Sequence, residues 1–190
     1  MPLSSTRDEI VAAADALFYR QGFEHTSFAH IANAVQISRG NFYHHFKSKD
    51  EILQEVIEAR VDKTRAMLDA WAAQCETPLD RLRCFVDILL RNKADIQRYG
   101  CPVGTLHTEL AKLDHASKDE AAALFTLFRR WLRQQFELMG RRSEADALAL
   151  HLLGRSQGVA TLANAFHDEK FIRREVQAMH DWLAALAAST

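Results

Sequence analysis

At 190 residues the chain can hold one good-sized core or a small domain joined to a larger one, with an ordinary globular balance of 48% hydrophobic and 26% charged residues. Its net charge of −1 excludes a polybasic nucleic-acid binder, so any contact with phosphates must rest on locally placed cations. Gly (7) and Pro (3) are scarce and runs of Val, Ile and Thr are absent, which predicts an all-α protein.

Taken in chain order, the helix signals are legible. Thr6 followed by Glu9 reads as a capping box opening a helix over 6–21, with Ile10, Ala13, Ala14, Leu17 and Phe18 at helical spacing and Gly22 ending it. Thr26 caps a short second helix over 27–34 with Phe28, Ile31 and Ala32 inward. A turn over 35–37 leads to Ser38, which opens a third short helix ending near His45. Ser48 with Glu51 starts a long helix to Ala73, and Thr77 with Pro78 starts a fifth reaching Arg98. After the break at Gly100–Pro102 come a short helix over 104–113, one opened by Ser117 with Glu120 and stopped at Gly140, one capped by Ser143 and a last one capped by Asp168. The sum is about nine helices. Three short ones form an N-terminal helix-turn-helix domain (1–49), and six longer ones form a second helical domain (50–190).

Two short helices joined by about three residues have the geometry of a helix-turn-helix, whose second helix enters the major groove of duplex DNA. Phe23, Phe28, Ile31, Ile37, Phe42 and Phe46 supply an apolar underside, leaving Ser38, Arg39, Asn41, Tyr43 and His45 to point elsewhere. Arg39 suits a guanine edge and Asn41 an adenine edge, each such contact giving about 1–3 kcal/mol of discrimination. Gly40 lets the backbone approach closely, while Thr26, Ser27 and Lys49 offer donors to phosphates. Plainer readings stay open: Phe42 and Tyr43 as core aromatics, Arg39 as a solvated cation. The His44-His45 pair does not read as a metal site, because adjacent helical residues do not face one ion.

The stretch Gly22-Phe23, Thr26-Ser27, Ile31-Ala32, Ser38-Arg39-Gly40-Asn41-Phe42-Tyr43, His45-Phe46, Lys49 and Ile52-Leu53 resembles the signature of the TetR/AcrR family of transcriptional regulators. It departs at the turn, where Ala34-Val35-Gln36-Ile37-Ser38 lacks the family's glycine. The resemblance implies that Thr26, Ser27, Tyr43, His45 and Lys49 hold phosphates and that Ser38, Arg39, Gly40, Asn41 and His44 lie against bases. It further assigns ligand binding and dimerisation to the second helical domain (50–190), and implies a homodimer joined through the last two helices, double-stranded operator DNA as partner, and release by a small-molecule or redox signal. Repressor is the expected role.

A ligand pocket of the family kind draws its lining from Trp71, Phe85, Leu89, Tyr99, Cys101, His107, Phe125, Phe128 and Trp131, each of which also reads as simple packing. Cys101, in a Gly-Cys-Pro stretch similar to one in a subset of the family, reads either as an oxidant or electrophile sensor at a helix start or as a small residue in a tight turn. Cys75, Cys84 and Cys101 form no CxxC pair and leave an odd one, which predicts no disulfide framework and fits the cytosol. The N-terminal residues carry no secretory pattern, and no window reaches ~18 apolar residues, so no membrane partner is expected. No catalytic motif, metal-ligand spacing or cofactor loop is recognisable; the chain is not expected to be an enzyme or to carry a cofactor.

Overall fold

The computed structural model describes residues 5–189, with Arg39 described by its backbone alone. Among the described residues there are eleven helices and no strand. They are α1 (Thr6–Gln21), α2 (Phe28–Ala34), α3 (Arg39–His45), α4 (Lys49–Gln74), α5 (Pro78–Val86), α6 (Ile88–Arg91), α7 (Lys93–Tyr99), α8 (Pro102–Lys112), α9 (Lys118–Leu138), α10 (Ala145–Phe166) and α11 (Glu169–Ala188).

The count exceeds the expected nine because the fifth helix is three. Backbone bonds from Asp87 to Arg83 (2.9 Å) and from Ile96 to Asn92 (2.9 Å) carry the spiral onward, but ψ opens to −13° at Asp87 and 17° at Asn92 and the helix breaks at each.

Three caps differ from expectation. Ser5, extended at φ −72° and ψ 154°, caps α1 in place of Thr6, which is already helical. Its hydroxyl accepts the Asp8 N–H (3.2 Å) and the Asp8 carboxylate accepts the Ser5 N–H (3.0 Å). Ser27 caps α2 in place of Thr26, with the His30 ring taking the part usually played by an acid. At α10 the capping position falls to Glu144, with no side-chain bond, rather than to Ser143. Ser38 and Asp168 cap α3 and α11 as expected.

The chain forms two compact units. One takes the described part of Met1–Asp62 with Thr105–Ala122; the other takes Lys63–Gly104 with the described part of Ala123–Thr190. Residues 49 and 50 both fall inside the first unit, since Ile52, Leu53 and Val56 at the start of α4 have no exposed surface and join the same core as Ile10, Phe18, Ile31, Phe42 and Phe46. Leu106, Leu110 and Ala121 complete that core. The second unit has its own core, built around Leu82, Leu132, Phe136, Leu152, Val176 and Met179. Burial of these aliphatic and aromatic side chains is the main stabilising term in each unit.

Candidate nucleic-acid interface

α2 and α3 are held by their inner faces. Ile31 (α2), Phe42 (α3) and Phe46, the residue that ends α3, are almost wholly buried, and the Phe28 ring packs against Phe42 (5.0 Å between centres) and edge-on to Tyr43 (5.5 Å). A seven-residue helix is not stable alone, so this packing is what sustains α3. The turn between them relies on Gln36 at φ +56°, the left-handed region that glycine adopts most readily. Gln36 adopts it with its backbone N–H on the Asn33 carbonyl (3.3 Å) and that of Ile37 on Ala32 (3.2 Å).

With the underside buried, α3 presents an exposed polar edge. Ser38, Gly40, Asn41 and His44 are exposed, and Tyr43 keeps 49% of its surface open. The space outside Gly40 is empty: a Cβ there would meet nothing within 4 Å. The Ser38 hydroxyl accepts the Asn41 N–H (3.3 Å), fixing the start of the helix. Arg39 opens α3, and its side chain lies outside the described residues. His45 is half-buried; its carbonyl accepts the Arg7 guanidinium (2.7 Å), which also pairs with Glu55 (2.8 Å) and lies 4.2 Å from the Phe46 ring centre. The hydrogen bond to Glu55 holds the Arg7 proton more tightly than usual.

Two of the expected phosphate donors are engaged within the chain. Thr26 is 1% exposed and its hydroxyl donates to the Gly22 carbonyl (2.7 Å). The Lys49 ammonium donates to the Phe23 carbonyl (2.9 Å) and sits 4.1 Å from the Phe23 ring centre. Both close the loop between α1 and α2. Ser27 remains exposed, beside a hollow it shares with Phe28, Ala29 and Tyr43.

The loop has a further brace that the sequence pattern did not reveal. Glu109 of α8 accepts the N–H groups of Phe23 (2.9 Å) and Glu24 (2.9 Å), one on each carboxylate oxygen. Gly22, at φ +88°, makes room for it: a Cβ there would lie 2.8 Å from one of those oxygens. Only the residue type of Glu109 was visible in sequence; its partners are more than 80 positions away. Glu109→Gln keeps the shape but replaces one acceptor by a donor facing an N–H. It is expected to lower stability by about 1–3 kcal/mol in urea unfolding, and an unchanged midpoint would mean that water serves those two N–H groups equally well.

In the second unit an apolar cavity of about 200 Å³ lies among α4, α5, α6, α7, α8, α9 and α10. Of the residues expected there, Phe85, Leu89, Cys101, Phe125 and Phe128 line it, joined by Met67, Ile88, Ile96, Val103 and Leu153 and by polar Thr64, Asn92, Ser156 and Gln157. Trp71 and Trp131 are not in its wall; their rings pack edge-to-face at 5.8 Å. Tyr99, with Arg98 over its ring (5.3 Å), is also outside it, and His107 belongs to the first unit. The missed wall residues on α10 carried no signal beyond helical periodicity.

A helix-turn-helix with a buried aromatic underside and an exposed polar edge, followed by a helical unit around an apolar cavity, can be compared with known proteins. Residues 10–56 match the family of bacterial regulatory proteins of the tetR type. A crystal structure of a TetR transcriptional regulator from Legionella pneumophila superposes with a TM-score of 0.82 at 26% identity, over 96% of this chain and 98% of that one. The chain belongs to the TetR family of transcriptional regulators.

An uncharacterised HTH-type transcriptional regulator in the lacX 3' region of Lactococcus lactis is 28% identical over 87% of each chain. The HTH-type transcriptional regulator TcmR of Streptomyces glaucescens is 31% identical over 73% of this chain, which spans 58% of that protein's length. These TetR-family relatives are regulators and not enzymes. Within this TetR-family chain the matched region runs from α1 into α4, and so includes the whole exposed edge of α3. No described helix is long and apolar enough to cross a membrane.

Proposed function

We propose that the chain is a repressor that binds operator DNA as a two-fold homodimer and releases it when a small apolar molecule enters the cavity of the second unit. The observation that carries this reading is the exposed edge of α3, polar along its length and backed by buried Phe42 and Phe46. Residues 1–49 act as the reading head, supported by the start of α4 and by 105–122 in the same unit, and the second unit acts as the ligand and dimer part. Ser38, Arg39, Gly40, Asn41 and His44 face base edges, where hydrogen bonding discriminates sequence. Ser27, Tyr43 and the nearby His45 face phosphates, which position the head without reading it. Thr26 and Lys49 support the loop beside these contacts instead of making them, given the partners they already hold.

The proposed dimer face lies on α10. Leu150, Gly154, Gly158, Leu162 and Phe166 recur every four residues, and all five are exposed, Leu150 by 45%, Leu162 by 43% and Phe166 by 70%. A Cβ at Gly154 or Gly158 would meet nothing within 4 Å, so a second copy's backbone can come close there. On α11, Ala184, Ala185 and Ala188 are exposed and small, which suits the same face.

The cavity wall is apolar with few polar groups, as small-molecule sites are. A ligand there releases DNA only to the extent that it binds the released conformation more tightly than the DNA-bound one. Oxidation or alkylation of Cys101 is the alternative release signal, favoured by its place in the cavity wall.

Selection of bound duplexes from a randomised pool tests the reading. The wild type is expected to enrich a two-fold symmetric site. Asn41→Ala is expected to relax preference at one or two base pairs, by about 1–3 kcal/mol, whereas Tyr43→Ala weakens all duplexes alike. Failure to enrich any sequence at low salt overturns the function, and equal effects of the two variants overturn the division of roles.

A further inference from the structure

We propose that Cys75 and Cys84 form a dithiol that a hydroperoxide converts to a disulfide, a modification site joining the end of α4 to α5. The two free sulfurs lie 3.3 Å apart although no CxxC spacing announces them. The Thr77-Pro78 start of α5 folds the chain back so that Cys84 faces the residue that follows α4. Both backbones are pinned. The Cys75 N–H donates to the Trp71 carbonyl (2.9 Å) and its own carbonyl accepts the Arg81 guanidinium (3.2 Å). The Cys84 carbonyl accepts the Arg91 guanidinium (2.7 Å). A disulfide requires the sulfurs to close by roughly 1.3 Å, a side-chain movement.

We assign the first attack to Cys75, which follows α4. Burial, and then the neighbouring Cys75 sulfur, push the Cys84 thiol up to about 11, so at neutral pH Cys84 keeps its proton until the second step. The Cys75 thiolate attacks the terminal oxygen of the hydroperoxide; the O–O bond breaks, the alkoxide leaves and takes up the proton that Cys75 released, and Cys75 becomes a sulfenic acid. The Cys84 sulfur then attacks the Cys75 sulfur. An S–S bond forms, the S–O bond breaks, and the departing hydroxide takes the Cys84 proton to leave as water. Two thiols and one hydroperoxide thus give one disulfide, one alcohol and one water, with two electrons passing from sulfur to the O–O bond. Both cysteines are only half exposed, which favours an oxidant as small as a peroxide over a bulky disulfide. Phe85, the next residue along from Cys84, is in the cavity wall, so bond closure acts one peptide away from it.

The test treats the reduced protein with hydrogen peroxide, quenches it with catalase, and alkylates it in denaturant with iodoacetamide. The three cysteines of the reduced chain should all be alkylated. After peroxide, Cys75 and Cys84 should escape alkylation and appear in one cross-linked peptide pair lacking two hydrogens, and dithiothreitol should restore both. C75S and C84S should each abolish the cross-link; if either fails to fold, the wild-type peptide map decides alone. Persistent alkylation of both residues, a bond to Cys101 or to another chain, or over-oxidation of Cys75 without a bond would overturn the proposal.

Discussion

Leu150→Glu is expected to hold the protein as a monomer and to lower its affinity for a duplex carrying two half-sites by about 100-fold or more. Leu150 is 45% exposed, so the substitution creates no cavity and its circular dichroism should match the wild type. In a two-fold dimer the residue occurs twice on one interface, and each copy would place a carboxylate among apolar and small side chains. Without the dimer each reading head binds its half-site independently and the gain from linking two of them is lost. Sedimentation velocity at micromolar concentration with gel-shift titration checks both parts. A variant that stays dimeric would place the interface elsewhere than the row from Leu150 to Phe166.

The second large effect is expected at Phe42. The ring is 1% exposed and packs against Phe28 (5.0 Å), Tyr43 (6.4 Å) and Phe46 (6.5 Å). Phe42→Ala removes the middle of that row, and a buried phenylalanine truncated to alanine costs about 3–5 kcal/mol. Because α3 is seven residues long and rests on this packing, the loss should appear first as local opening. Hydrogen exchange of amides over 28–46 should accelerate strongly while those of α10, whose core is separate, keep their protection. Equal protection across the whole chain would show that the two cores share one cooperative transition.

Much of this architecture was legible in the sequence because helices announce themselves locally. The period of Ile10, Ala14 and Phe18 and the hydroxyl before each short helix were enough to locate α1 to α3. Where two or three hydroxyl residues stand together, however, the cap goes to the one with extended backbone. That selected Ser5 over Thr6, and Ser27 over Thr26, whose hydroxyl is drawn inward to Gly22. Partners distant in the chain left no local trace. Glu109 is an ordinary helical acid until its two N–H groups are seen, and Cys75 and Cys84 are unrelated thiols until α5 folds back. Among the aromatic residues singled out in sequence, Phe85, Phe125 and Phe128 lie in the cavity wall, but Trp71 and Trp131 satisfied each other, an outcome that composition alone does not separate from lining a pocket.

Gly40 carries a consequence for how such a protein diverges. Nothing inside the chain constrains what stands there, since the room beyond its α-carbon is unoccupied. On the proposed reading that vacancy faces the duplex, so a lineage can rewrite the sequence it recognises at this one codon while the hydrophobic support below is left undisturbed. Target choice and foldability are thereby uncoupled at the position where selection for new targets would act first.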